Sequence, residues 1–186
     1  MISTNDVRPG MALNLPDGLF QVVHYEHVKP GKGKAFVRTK LKNVETGAVI
    51  DRTFRAGENV PRAIIERKDF QYLYRDDLGF HFMDTQTYEQ ISVSEDVIGG
   101  AADYITDGLT CQLAIYESRP IGIELAASAQ IEVAHTEPAV KGDRVSGATK
   151  PVTLTTGKVI QAPLFVEIGD VVKVDTRTGD YITRAS

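Results

Sequence analysis

No long amphipathic helix can be drawn anywhere in the 186 residues. The apolar residues instead fall in short alternating runs closed by turns, the period-two signature of half-buried strands. Met11 to Leu15, Pro16-Asp17-Gly18 and Leu19 to Tyr25 read as strand, turn, strand. Leu19 to His27 and Ala35 to Asn43 then flank a loop, and Val49 to Phe54 follows the turn Glu45-Thr46-Gly47. Residues 1–62 are therefore expected to form a small antiparallel barrel of SH3-like size, with Gly57 to Pro61 as a seam. Residues 63–126 offer Ile64 to Tyr74, Phe80 to Met83, Ile91 to Val93, Leu109 to Tyr116 and Ile121 to Leu125 as strands. Ser94 is placed to cap one short helix, so this segment fits a five-stranded barrel of the OB kind. Residues 127–186 repeat the pattern from Gln130 to Thr183, giving an all-β chain of three small barrels strung linearly.

One loop stands apart from this frame. Lys29-Pro30-Gly31-Lys32-Gly33-Lys34 joins two strands, with proline fixing one dihedral and glycines on both sides of Lys32 permitting positive φ. The expected result is a tight protruding hairpin with Lys32 at its tip. From Val28 to Val44 there are six basic residues and no acid, and Arg38, Lys40 and Lys42 share the solvent face of their strand by alternation. Charge is also divided along the chain: +4 over residues 1–62, −8 over 63–126 and zero over 127–186. Such a molecule would meet an anionic partner through its first segment, and barrels of this kind commonly bind nucleic acid through loops and one sheet face.

Other chemistries find little support. Gly31-Lys32-Gly33 is not a phosphate loop, because that motif needs longer glycine spacing and a following helix, whereas a strand follows here. His24, His27, His81 and His135 are scattered, and alternation puts His24 and His27 on opposite faces. Cys111, the single cysteine, sits in an apolar strand and reads as a small buried hydrophobe. No catalytic residues, metal ligands or cofactor site are assigned. With no disulfide framework, no signal sequence and no apolar stretch near the ~18 residues of a membrane span, a cytoplasmic, soluble protein without membrane association is expected.

The tip motif Lys29-Pro30-Gly31-Lys32-Gly33 resembles that of bacterial elongation factor P. So do Gln71 to Tyr74 and Phe82 to Gln90 in the middle, and Lys150 to Gly157, Pro163 to Val166 and Val172 to Tyr181 at the end. The resemblance runs through the whole chain in order. It implies an SH3-like (KOW-type) barrel and two OB folds in an L shape, a monomer, and binding between the ribosomal P and E sites in contact with both subunits. There the tip would contact peptidyl-tRNA and promote bond formation at consecutive prolines by positioning rather than by its own chemistry. Lys32 matches the position modified in relatives, which implies a lysine-modifying enzyme as a partner. Lys29, Pro30, Gly31, Gly33, Lys34, Arg38, Lys40 and Lys42 are the implied loop and tRNA-phosphate contacts. Gly142-Asp143-Arg144 matches a loop facing E-site mRNA, with arginine where threonine is usual. Tyr181 and Arg184 match positions expected near tRNA or the small subunit, and Ala162 stands where valine is usual. A general RNA-binding paralogue without ribosomal activity is the competing reading.

Overall fold

A computed structural model describes residues 1–140 and 147–185. In chain order the strands are β1 (Ile2–Ser3), β2 (Ala12–Leu15), β3 (Gly18–Val28), β4 (Phe36–Asn43), β5 (Val49–Arg55), β6 (Asn59–Val60) and β7 (Arg62–Ala63). There follow β8 (Glu66–Asp76), β9 (Gly79–Asp84), β10 (Gln90–Val93), helix α1 (Glu95–Ile98) with a 3-10 turn at Gly99–Tyr104, β11 (Thr110–Tyr116) and β12 (Arg119–Glu124). The last five are β13 (Ser128–Thr136), β14 (Thr149–Leu154), β15 (Val159–Pro163), β16 (Val171–Asp175) and β17 (Tyr181–Arg184). The chain is all-β, as its alternation requires.

Three five-stranded sheets carry the architecture, in the orders β5-β4-β3-β2-β7, β10-β9-β8-β11-β12 and β15-β14-β13-β16-β17. The second and third share one topology. Each sheet has its longest strand at the centre, and each of those strands (β3, β8 and β13) contains a register shift. A bulge adds local twist, which lets one long strand curl through a small barrel. In β3 the extra residue is Val23, after Val22↔Leu41 and before His24↔Lys40. Strict alternation would have put His24 and Glu26 on the same face as buried Phe20 and Val22. The bulge turns them outward and brings Tyr25 against the core instead.

By compactness the chain falls into two units. One holds Met1–Arg67 with Ala114–Gly122; the other holds Lys68–Leu113 and the described residues from Ile123 onward. In the first, Val7, Leu13, Leu15, Phe20, Val22, Leu41 and Val60 form the main core. A second cluster joins Ala12, Leu19, Ala63 and Ile121, so the β11–β12 hairpin covers part of the first sheet. The Gly57 to Pro61 stretch, at the end of the first segment, is hydrogen-bonded into this unit. Asn59 and Val60 pair with Ser3 and Ile2, and Asn14 N–H donates to the Pro61 carbonyl at 2.9 Å.

In the second unit Phe70, Tyr72, Phe80, Phe82, Val93, Ile98, Cys111 and Leu113 are buried, and Tyr72 packs on Phe82 at 5.6 Å between ring centroids. Gly79 sets its hairpin: φ is +119°, and a Cβ there would lie 2.3 Å from the Val93 carbonyl oxygen, so only glycine fits. The third sheet closes over Ile131, Val133, Val152, Leu154, Ile160, Ala162, Val166, Val172 and Val174, with Tyr104 inserted among them. Ala162, where a valine was the expectation, is fully buried. No helix of the described residues is long and apolar enough to cross a membrane.

Candidate nucleic-acid interface

β3 and β4 stay paired as far as Val28↔Phe36, so the loop leaves the sheet from a closed ladder. Residues Lys29, Pro30, Gly31, Lys32, Gly33 and Lys34 are all exposed. The turn uses one of its two glycines for conformation: Gly33 takes φ +108°, whereas Gly31 is not at positive φ. At Gly31 a Cβ would meet nothing within 4 Å, so this glycine leaves the tip slender without being forced. The base of the finger is braced. Ala56 N–H donates to the Ala35 carbonyl at 3.2 Å, Arg55 N–H to Glu58 Oε1 at 2.7 Å, and Thr4 Oγ1–H to the Arg55 carbonyl at 2.8 Å. Among the described residues no acid pairs with Lys29, Lys32 or Lys34.

Behind the tip, Arg38, Lys40 and Lys42 stand exposed and alternate with buried Val37, Thr39 and Leu41. Thr39 tolerates burial because its hydroxyl donates to the Arg52 carbonyl at 2.8 Å. The face is less uniformly basic than β4 alone suggests, because the neighbouring strands supply acids. Arg38 lies between Glu26 and Thr53 and pairs with Glu26 at 3.8 Å, its guanidinium 5.8 Å from the Phe36 ring centroid. Lys40 lies between His24 and Asp51. Arg38 is therefore already engaged, whereas Lys42, between Gln21 and Val49, and the lysines of the finger register opposite no acid. Sequence reasoning missed Arg55, which registers opposite Phe36 and adds an exposed cation to this face. Its signal was available in the alternation of β5, two residues beyond Thr53.

Tyr181 and Arg184 belong to the third sheet and serve it. Tyr181 is half-buried against that core, while Arg184 pairs with Asp170 at 3.6 Å and stacks over Phe165 at 5.3 Å. Gly142, Asp143 and Arg144 lie outside the described residues. Elsewhere the titratable groups look structural. Burial, helped by Asp69, pushes the Cys111 thiol up to about 11, far from a reactive thiolate. His81 contacts Asp76 at 2.7 Å and holds that carboxyl below its ordinary value, with Tyr74 stacked on the imidazole at 4.4 Å. His24 and His27 register on opposite faces. Among the described residues no group of three or more His, Cys, Asp or Glu could hold a metal ion.

Comparison with known proteins matches this geometry to one family. The family models for the elongation factor P KOW-like domain, OB domain and C-terminal domain match residues 3–60, 65–123 and 129–184. The elongation factor P of Moorella thermoacetica is 54% identical over 185 residues, covering 100% of both chains. That of Pelotomaculum thermopropionicum is 50% identical over 184 residues, covering 99% of this chain and 100% of its own. Among solved structures, eukaryotic translation initiation factor 5A from Methanococcus jannaschii shares the fold at 17% identity, with a TM-score of 0.55 over 66% of this chain and 92% of that one. The chain belongs to the elongation factor P family of translation factors.

Proposed function

We propose that the protein binds the ribosome between the P and E sites and places its lysine-tipped finger beside peptidyl-tRNA, promoting peptide-bond formation at consecutive prolines. The observation that carries this reading is the finger itself: a braced, fully exposed loop whose three lysines have no acidic partner among the described residues. Such cations are available for phosphate oxygens, and each lysine that neutralises one adds a salt-dependent gain independent of sequence. Lys32 is the tip residue and the site for a modifying enzyme. Lys29, Lys34, Lys40, Lys42 and Arg55 line the path of the tRNA backbone, and Pro30, Gly31 and Gly33 give the finger its shape. Arg38 contributes once Glu26 is exchanged for phosphate, and Tyr181 and Arg184 form a second, smaller contact with tRNA or the small subunit.

The proposed role is non-enzymatic. Proline's ring restricts φ and hinders a productive nascent-chain geometry; an ordered P-site tRNA restores a near-attack arrangement, and bond formation remains the ribosome's. The three functional segments are 1–62, 63–126 and 127–186, acting as a monomer in the cytoplasm. A toeprinting assay on a message with consecutive proline codons tests this reading. Wild type is expected to relieve the stall and Lys32→Ala to lose most of that relief. Equal relief by both, or none by wild type, refutes it. Intact-mass measurement of natively expressed protein shows whether Lys32 carries an added group.

A further inference from the structure

Three turns in this chain are built alike. In Asn43-Val44-Glu45-Thr46-Gly47-Ala48 the Asn43 side-chain oxygen accepts the N–H groups of Glu45 and Thr46, both at 2.9 Å. Gly47 N–H then donates to the Asn43 carbonyl, Asn43 N–H to the Ala48 carbonyl, and Ala48 N–H to Thr46 Oγ1. Asp175-Thr176-Arg177-Thr178-Gly179-Asp180 repeats all five hydrogen bonds. So does Asp84-Thr85-Gln86-Thr87-Tyr88-Glu89, where Asp84 Oδ1 accepts from Gln86 and Thr87 at 2.8 and 3.1 Å. The fifth position is left-handed in every case: φ is +75° at Gly47, +81° at Gly179 and +61° at Tyr88.

Glycine solves this position twice, so the turn does not need a side chain there. A bulky aromatic in the left-handed region is strained, and Tyr88 gains no burial in return, being 70% exposed. Residues 85–90 are exposed around it. The side chain is thus left largely exposed on a turn fixed by five hydrogen bonds, at a conformational cost that glycine at this position would avoid. Resting on the ribosomal reading above, we propose that Tyr88 is a binding residue whose ring receives a cationic side chain, arginine or lysine, of a protein partner on the ribosome. Charge favours this partner over RNA: residues 63–126 hold twelve acids against four bases, Lys68 beside the turn already acts on the Asp84 carboxylate, and Glu89 next to Tyr88 adds a carboxylate for an incoming cation.

The test combines stability, affinity and crosslinking on the full chain. Tyr88→Gly should melt higher than wild type, by about 2–4 °C as strain is relieved, yet bind purified 70S ribosomes about tenfold more weakly. Tyr88→Phe, which keeps the π face, should recover most of that loss. A benzophenone amino acid at position 88 should crosslink on those ribosomes to protein, giving an adduct sensitive to protease and resistant to ribonuclease. Unchanged affinity of Tyr88→Gly, a lower melting temperature for it, or adducts to RNA overturn the proposal while leaving the ribosomal reading intact. Failure of wild type to bind 70S ribosomes overturns that reading, and this proposal with it.

Discussion

Removing Tyr104 should uncouple the two OB-type sheets of the larger unit. Tyr104 ends the 3-10 turn after α1, yet its side chain lies 7% exposed within the core of the third sheet, among Ile131, Val133, Val152 and Val174. Around it, Thr156 Oγ1–H donates to the Asp103 carbonyl at 2.7 Å, and Lys158 Nζ lies 3.5 Å from Asp103 and 5.7 Å from the Tyr104 ring. A buried tyrosine removes roughly 150–250 Å² from water; at about 25 cal/mol/Å² that is about 4–6 kcal/mol as an upper bound. Measured aromatic-to-alanine losses of about 3–5 kcal/mol agree. The flanking contacts are far weaker: a partly exposed ion pair and a cation–π contact give about 1 kcal/mol or less each. Tyr104→Ala should therefore cost about 3–5 kcal/mol and Lys158→Ala about 1 kcal/mol. Urea unfolding, followed by far-UV circular dichroism and by tyrosine fluorescence, measures both. The wild-type probes should coincide for this unit, and in Tyr104→Ala they should separate. A loss below about 1.5 kcal/mol, on the order of a surface substitution, would refute the assignment of Tyr104 as the joint.

Two further outcomes follow from backbone and charge. Gly33→Ala forces a Cβ at φ +108° and should cost about 1–2 kcal/mol or reshape the finger, whereas Gly31→Ala, in open space, should change stability by less than about 0.5 kcal/mol; thermal melts and toeprinting of the pair separate shape from charge. The carboxyls of Asp84 and Asp175 are held below their ordinary value chiefly by backbone N–H donors, that of Asp17 by Arg52 and that of Asp76 by His81. Because the folded values are depressed, this stabilisation is complete above the unfolded value of about 4 and is lost as the pH falls through the lower folded values. The urea midpoint should accordingly be flat from pH 7 to 5 and drop below about pH 4; a midpoint that rises on acidification would contradict the sign.

Much of this was legible because it depends on neighbours in sequence. Alternation placed Arg38, Lys40 and Lys42 outward on β4, and the glycines marked the hairpins, since both effects act within a few residues. What stayed hidden depends on distant pairing. The two-residue strands β1, β6 and β7 carry no period of their own, so the pairing of Asn59, Val60 and Pro61 with Ser3, Ile2 and Asn14 is invisible in the sequence. The three like turns were visible as Asn or Asp followed three residues later by threonine, but only their hydrogen bonds show that Tyr88 stands where the others have glycine.

The electrostatics of the finger's face depended on one residue that no local pattern announces. Had β3 run without its bulge, continuing the register of Val22↔Leu41 would set Glu26 opposite buried Val37, and a carboxylate would face the core. Val23 absorbs the mismatch, Glu26 emerges opposite Arg38, and the pair they form at 3.8 Å removes that arginine from the free cations of β4. Beyond Val28↔Phe36 no paired strand follows to bring an acid alongside, and among the described residues Lys29, Lys32 and Lys34 have no acidic partner. The bulge that lets the strand curl thus also sets Glu26 against Arg38, so the cations of this face that register opposite no acid are Lys42, Arg55 and the lysines of the slender, glycine-turned tip.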